Sequence, residues 1–274
     1  MNAFTELHRA GEPLLLPTAW DHASARLFAA QGFPAIGTTS LGVAAGAGLP
    51  DGAAATRDET LRLALALGAE PFLLSVDAEG GFGDDPDEVA QAARELADVG
   101  VAGINLEDGL GSARRHAEKI AAVKAAAPGL FVNARTDTYW LGDGEDTRRR
   151  LETYRQAGAD GLFVPGLTDP AEIAALVRDF DGTPLNVLYA PDGPGVTRLA
   201  DLGVRRISLG SLLYRRALGA AVDALADIRA GRRPGGFVPS YGEVRALSDQ
   251  RRAGDSKISV SRSANATGCS SAPR

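Results

Sequence analysis

Eight short apolar runs rich in β-branched residues recur along the chain, around 14 to 16, 35 to 40, 72 to 77, 102 to 106, 130 to 134, 161 to 164, 184 to 189 and 205 to 209. Stretches with helical period separate them. Ile173, Leu176, Val177 and Phe180, at i, i+3, i+4 and i+7, give one apolar stripe that can pack on a sheet. Alternating strands and helices imply parallel strands joined by right-handed crossovers, and eight such units over about 250 residues is the size of a closed (β/α)₈ TIM barrel. An open doubly wound sheet would carry a GxGxxG turn after the first strand, Leu14 to Pro17; none is present, so the barrel is preferred.

Helix starts are marked by Asp85-Pro86 with Glu88, by Asp169-Pro170, and by Thr56 with Glu59, where a side-chain oxygen caps free amides. Gly32, Gly68, Gly100 and Gly158 each follow an apolar periodic run, the place for a left-handed C-terminal stop.

The 274 residues, 45% of them hydrophobic, suffice for one large core, and no linker interrupts the chain before residue 245. We therefore expect one catalytic barrel domain over 1–245 and a flexible, disordered tail over 246–274. A net charge of -6 argues against nucleic-acid or anionic-membrane partners. With neither an apolar leader core nor a stretch of about 20 apolar residues, the chain reads as cytoplasmic. Cys269, the only cysteine, lies in the tail, which leaves the barrel no disulfide, thiolate metal site or cysteine nucleophile. Asn265-Ala266-Thr267 matches the glycosylation triplet, but no secretion signal accompanies it.

In a barrel of this type the strand ends and the loops after them form one bowl, so distant polar residues converge there. Strand two ends in Thr38-Thr39-Ser40, strand three in Asp77-Ala78-Glu79, strand four in Glu107-Asp108 and strand five in Arg135-Thr136-Asp137, while strand seven carries Asn186. Carboxylates facing one cavity repel unless a cation neutralises them, and oxygen ligands without nearby His or Cys suit Mg²⁺ or Mn²⁺. Asp77 and Glu79 share a strand face by the period of two, and Glu107 ends the adjacent strand, so all three are candidates to reach one ion. The bland alternative is that these acids pair with Arg135 or cap helices. Gly42 to Gly52 reads as a small-residue loop, a lid or an anion cradle, without the Lys-Ser/Thr ending of a phosphate-binding loop.

The runs PTAWDHASARL, TTSLGVAAGAGLPDG, SVDAEGGFGD, GINLEDG, NARTDTYWLG, ADGLFVPGLTDP, PLNVL and GVRRISLGS, in this order from about Leu14 to Leu225, resemble the isocitrate lyase / phosphoenolpyruvate mutase superfamily. The resemblance implies that Asp77 ligates Mg²⁺ most directly, with Glu79, Glu107 and Asp51 completing the site through water. It implies that Thr39, Ser40 and the Leu41 amide cradle a substrate carboxylate, that Arg135 clamps the oxyanion or carboxylate, and that Asn186 is a polar substrate contact. Arg135, Asp51 and Glu107 form the implied catalytic set. Relatives exchange their last barrel helix, which implies a homodimer or homotetramer with Leu212 to Ile228 as the exchanged element.

Such enzymes pass through a pyruvate-like enolate, whose oxyanion a divalent cation and Arg135 would stabilise. The departure lies after strand four. Isocitrate and methylisocitrate lyases carry a KKCGH-like catalytic loop there, whereas Glu107-Asp108-Gly109-Leu110-Gly111-Ser112-Ala113-Arg114-Arg115-His116 runs almost directly into a helix. Phosphonomutases and phosphonopyruvate hydrolases have longer lids with an Asn or Thr, and neither residue lies between Asp108 and His116. The expected activity is thus a carbon-carbon lyase or decarboxylase acting on a small 2-oxo or 2-hydroxy di- or tricarboxylate. A carbon-phosphorus enzyme and a non-catalytic carboxylate binder are the alternatives. His116 or Ser112 is a replacement acid in this reading, Tyr139, Trp140, Trp20 and Asp21 are rim candidates, and Ser208, Gly210 and Ser211 are assigned to packing.

Overall fold

Proline has no amide hydrogen to give a ladder, and Pro17 splits the first stave of the sheet in two. The computed structural model describes residues 3–142 and 144–249, so most of the tail expected over 246–274 lies outside the described residues. The strand segments are β1 (Leu14–Leu16), β2 (Thr18–Ala19), β3 (Ala35–Thr38), β4 (Leu73–Asp77), β5 (Val101–Glu107), β6 (Phe131–Arg135), β7 (Gly161–Val164), β8 (Leu185–Leu188) and β9 (Arg206–Ser208). All pair in parallel, in the order β1-β9-β8-β7-β6-β5-β4-β3-β2. Because β1 and β2 are two halves of one stave, the nine segments close into eight staves, the expected barrel.

The helices are α1 (Ala3–Leu7), α2 (His22–Ala29), α3 (Ser40–Ala47), α4 (Arg57–Leu67), α5 (Pro86–Asp98), α6 (Ala113–Ala126), α7 (Thr138–Leu141), α8 (Thr147–Gln156), α9 (Pro170–Asp179), α10 (Val196–Asp201), α11 (Leu212–Arg229) and α12 (Tyr241–Asp249). The expected stripe on α9 buries Ile173, Leu176 and Phe180. Together with Val76, Ile104, Leu106, Val132, Leu162, Val187 and Ile207 from the strands, these side chains belong to one core cluster between sheet and helices. At the N-terminal end of the barrel a smaller cluster joins Phe4 of α1 to Leu14, Leu16, Ala35 and Phe131. The His8 ring stacks on Phe131 with centroids 4.2 Å apart. No helix among the described residues is long and apolar enough to cross a membrane. The 245/246 boundary falls inside α12, where Leu247 is buried.

Asp85 and Asp169 cap α5 and α9 as expected, accepting from Asp87 N at 2.9 Å and Ala171 N at 2.8 Å. Thr56 departs from its expected role. It stands at the N-cap of α4, but its hydroxyl makes no cap bond and donates instead to Glu79. Gly68 also departs, since its φ is -65° rather than left-handed. A Cβ there would stand 1.6 Å from the Val99 carbonyl oxygen, so close backbone approach, not handedness, requires glycine at this position.

The segment from Gly42 onward is not a loop. Ser40–Ala47 is helical, closed by Gly48 in the left-handed conformation. Alanine favours the helix, and a Cβ on Gly42 would stand 2.8 Å from the Cβ of Trp20, so the small residues serve close packing. The open segment after this stave is therefore confined to 48–56.

Candidate metal and substrate site

The period of two sets the bowl. On β4 the inward positions include Ser75 and Asp77, on β5 Asn105 and Glu107, and on β6 Asn133 and Arg135. Glu107 and Arg135 are direct cross-strand partners, and Arg135 Nη1 stands 2.8 Å from Glu107 Oε2. Arg135 Nε donates to Asp137 Oδ1 at 2.6 Å, so two carboxylates grip the same guanidinium from either side. Burial lowers the Arg135 pKa, but Glu107, Asp137 and Asp77 outweigh it and hold the group more firmly cationic than usual.

Asp77 closes β4. Its Oδ2 accepts from Ser40 N at 3.4 Å, and its amide donates to Thr38 Oγ1 at 2.9 Å. Oδ1 of the same carboxylate is buried without a hydrogen-bond partner. Burial pushes the Glu107 carboxyl up to about 8, and the charges of Asp77, Asp137 and Glu79 push the same way against Arg135. The bowl is thus short of positive charge.

Glu79 does not share a strand face with Asp77. The strand ends at Asp77, and Glu79 has φ +48°, which turns its side chain onto the 54–56 segment. There it accepts from Ala54 N at 2.9 Å and from the Thr56 hydroxyl, and it is 2% exposed. Among the described residues no three His, Cys, Asp or Glu side chains stand together so as to hold an ion directly. Of the expected metal set Asp77, Glu79 and Glu107, Glu79 is held by Ala54 and Thr56 and Glu107 by Arg135, while the charges of Asp77 and Glu79 both act on Glu107. The unpartnered, buried oxygen of Asp77 is the kind of oxygen donor that fits a hard cation.

Thr39, Ser40 and Leu41 occupy the N-cap and first two positions of α3, whose opening amides have no partner within the helix. Asp51 is exposed, three residues before the Ala54 amide that Glu79 holds. Asn186 is 1% exposed, and its Nδ2 donates to Ser208 Oγ at 3.0 Å, which places it in the barrel interior. Ser208 belongs to that interior as well, in accord with its assignment to packing.

His116 is buried on α6 with its ring edge-on to Tyr154, and burial lowers its pKa to about 4. Ser112 caps α6, accepting from Arg115 N at 3.3 Å. Both are thereby accounted for structurally. Asp21 likewise caps α2, and Trp20 packs against Phe28 and Tyr214.

The sequence placed Asp108 and Asp137 at strand ends without giving them a role, and it did not single out Arg206. Asp137 orients Arg135 and also accepts from Gly109 N at 3.2 Å. Asp108 accepts from Tyr154 Oη at 2.6 Å, Thr136 Oγ1 at 2.8 Å, Arg150 Nη1 at 3.0 Å and the amides of Leu110 and Asp137, so the short loop after β5 is pinned in place. Arg206 is 1% exposed inside the barrel. Its one visible signal was a charge within an apolar run.

Residues 4–229 match the phosphoenolpyruvate phosphomutase family. An uncharacterized protein of Mycobacterium tuberculosis is 43% identical over 253 residues, covering 89% of this chain and 95% of that protein. Oxaloacetate decarboxylase of Pseudomonas entomophila is 31% identical over 241 residues, covering 81% and 82%. The structure of a 2,3-dimethylmalate lyase superposes with a TM-score of 0.78 at 25% identity, covering 90% of this chain and 94% of that one. The chain belongs to the phosphoenolpyruvate mutase / isocitrate lyase superfamily, whose lyases and mutases act on small carboxylates.

Proposed function

We propose that this member of the superfamily is a divalent-metal-dependent carbon-carbon lyase or decarboxylase, acting on a small 2-oxo or 2-hydroxy di- or tricarboxylate through a pyruvate-like enolate. The observation that carries this reading is the unpartnered Asp77 Oδ1 beside an arginine already fixed by two carboxylates. Asp77 would hold the ion, with Glu79, Glu107 and Asp51 around it through water. A bound Mg²⁺, or Mn²⁺ in its place, supplies Lewis acidity to the keto and carboxylate oxygens of a 2-oxo acid.

The protein's own groups do the rest. The amide of Leu41 in the opening turn of α3 receives a carboxylate, with Thr39 and Ser40 beside it. When oxaloacetate loses its C4 carboxylate as CO₂, the electron pair of the C3–C4 bond passes into the pyruvate enolate, whose oxyanion the Arg135 guanidinium stabilises. When a 2-hydroxy diacid is cleaved between C2 and C3, the hydroxyl gives up its proton and C2 becomes the keto carbon of a 2-oxo acid held by Arg135. The electron pair then passes to the departing carboxylate fragment, which takes up a proton at C3. Because Glu107 and Asp137 fix the guanidinium beforehand, little reorganisation accompanies the step. The loop held by Asp108 and Asp137 takes the place of a long lid, which suits chemistry without an added catalytic cysteine. The names of the oxaloacetate decarboxylase and dimethylmalate lyase relatives support this substrate class. The phosphomutase family match favours one second reading, cleavage at a carbon-phosphorus bond.

The test is incubation with oxaloacetate, 2,3-dimethylmalate and phosphonopyruvate in Mg²⁺, with pyruvate release coupled to NADH loss. Turnover of either of the first two supports the lyase. Turnover of phosphonopyruvate alone would move the assignment to the second reading, and oxalate binding without any turnover would leave a carboxylate binder.

We also propose a homodimer or homotetramer built through α11. This helix has no buried residue, and it exposes Leu218, Val222, Leu225 and Ile228 at 51%, 64%, 64% and 61%, a spacing that makes one apolar stripe.

A further inference from the structure

Beneath the carboxylates of the bowl lies a second inward layer. Ser75, Asn105 and Asn133 each sit two residues before Asp77, Glu107 and Arg135 on the same staves, and therefore one layer deeper along the barrel. The Arg206 side chain is in this layer. Its Nη2 stands 3.0 Å from Asn105 Oδ1 and 3.4 Å from Ser75 Oγ, and its Nε donates to Ser208 Oγ at 3.0 Å. Asn133 Nδ2 donates to the same Asn105 oxygen at 2.9 Å.

Every hydrogen-bond partner of this guanidinium is neutral, and Nη1 is buried without one. Among the described residues it makes no salt bridge. Burial lowers its pKa to about 9, against the charge of Asp77, which favours the cation, so it is cationic at neutral pH. Towards the other end of the barrel its neighbour is His8, buried and with its pKa lowered to about 3 by burial and by Arg206 itself. His8 is therefore neutral and offers no counter-charge.

Packing alone does not call for such a residue. Branched aliphatic side chains ordinarily fill the layers of these barrels, and replacing buried ions by apolar groups of similar volume is often neutral or stabilising. A buried cation without a bonded carboxylate is retained here directly below a bowl crowded with carboxylates. We propose that Arg206 is a positioning residue: a fixed positive charge one layer below Asp77 and Glu107 that offsets the charge of the Asp77 carboxylate and raises the affinity of the bowl for anionic substrate.

Two measurements test this. The first is a double-mutant cycle by urea unfolding of the full chain in EDTA, with Arg206→Met, Asp77→Asn and both together. The double variant should be more stable than the sum of the single effects by about fivefold or more in the unfolding constant; additivity would overturn the proposal. The second rests on the proposed function. In Arg206→Met, oxalate should bind about tenfold more weakly at saturating Mn²⁺, while Mn²⁺ alone binds as tightly or more tightly, the scale of losing one unit charge roughly 12 Å away at an effective dielectric near 20. Arg206→Lys should restore the oxalate affinity.

Equal weakening of both ligands would mark a merely structural role and overturn the proposal. A wild-type protein that binds neither Mn²⁺ nor oxalate would contradict the proposed function instead, and the unfolding cycle would still decide the role of Arg206.

Discussion

Arg135 and Glu107 face each other across β6 and β5 and meet at 2.8 Å, an ion pair built from strand register and not from loop placement. A planar guanidinium is what lets Asp137 take Nε while Glu107 takes Nη1. Lysine keeps the charge but not the fork. Arg135→Lys should therefore lower kcat/KM on the substrate identified by the panel by about 10²- to 10³-fold, the scale of losing one preorganised oxyanion donor. Circular dichroism should show the fold unchanged, and near-wild-type kcat/KM would contradict the clamp.

The 48–56 segment is tied to the barrel through one carboxylate. Glu79 accepts from both Ala54 N and Thr56 Oγ1 while 2% exposed, so removing one donor leaves a buried acceptor unsatisfied. Thr56→Val should increase hydrogen-deuterium exchange at the amides of 52–56 by about tenfold or more and leave β4 protected. Unchanged exchange would show that this tie does not hold the segment.

His8 gives an acid limb to stability. Its pKa falls from 6.5 to about 3 on folding, chiefly through burial, with Nδ1 donating to Phe4 O at 2.8 Å. Between those values the unfolded chain binds the proton and the folded chain does not. Stability is therefore complete above about pH 6.5 and declines as pH falls toward about 3, at about 1.4 kcal/mol per unit for this group. His8→Phe, which keeps the stack on Phe131, should flatten the slope of urea stability between pH 4 and 6.5; an unchanged slope would exclude His8 as its source.

The apolar stripe of α11 predicts assembly. Placing aspartate at Leu218 and Val222 together should convert an oligomer to a monomer in sedimentation velocity, because a buried charge without a partner opposes association. A wild-type chain that sediments as a monomer at micromolar concentration would remove the assembly proposal.

The parts of this architecture that follow from repeated local rules were legible in the sequence. Staves, aspartate caps and the α9 stripe each depend on residues within a few positions of one another. Asp77, Glu107 and Arg135 were legible because a strand end fixes where a side chain goes. Glu79 was not, since a single left-handed residue ends the period-two rule, and that φ belongs to no residue type that advertises it. Thr56 followed the sequence signature of a cap, but Glu79 offered its hydroxyl a buried acceptor. The small residues after Ser40 suggested a loop because glycine is read as a breaker; packing against Trp20 made them a helix. Arg206 needed three dimensions, for two of its partners, Ser75 and Asn105, lie on other staves far away in sequence.

The role of Asp77 as the anchor of a divalent ion is tested most directly by a crystal structure grown with Mn²⁺ and oxalate and measured for anomalous scattering. The geometry of the bowl predicts one manganese peak within about 2.3 Å of an Asp77 carboxylate oxygen, a distance set by hard-ion coordination, with oxalate on the ion and against Arg135. Oxalate bound with no anomalous peak at Asp77, or a peak elsewhere in the barrel, would contradict it.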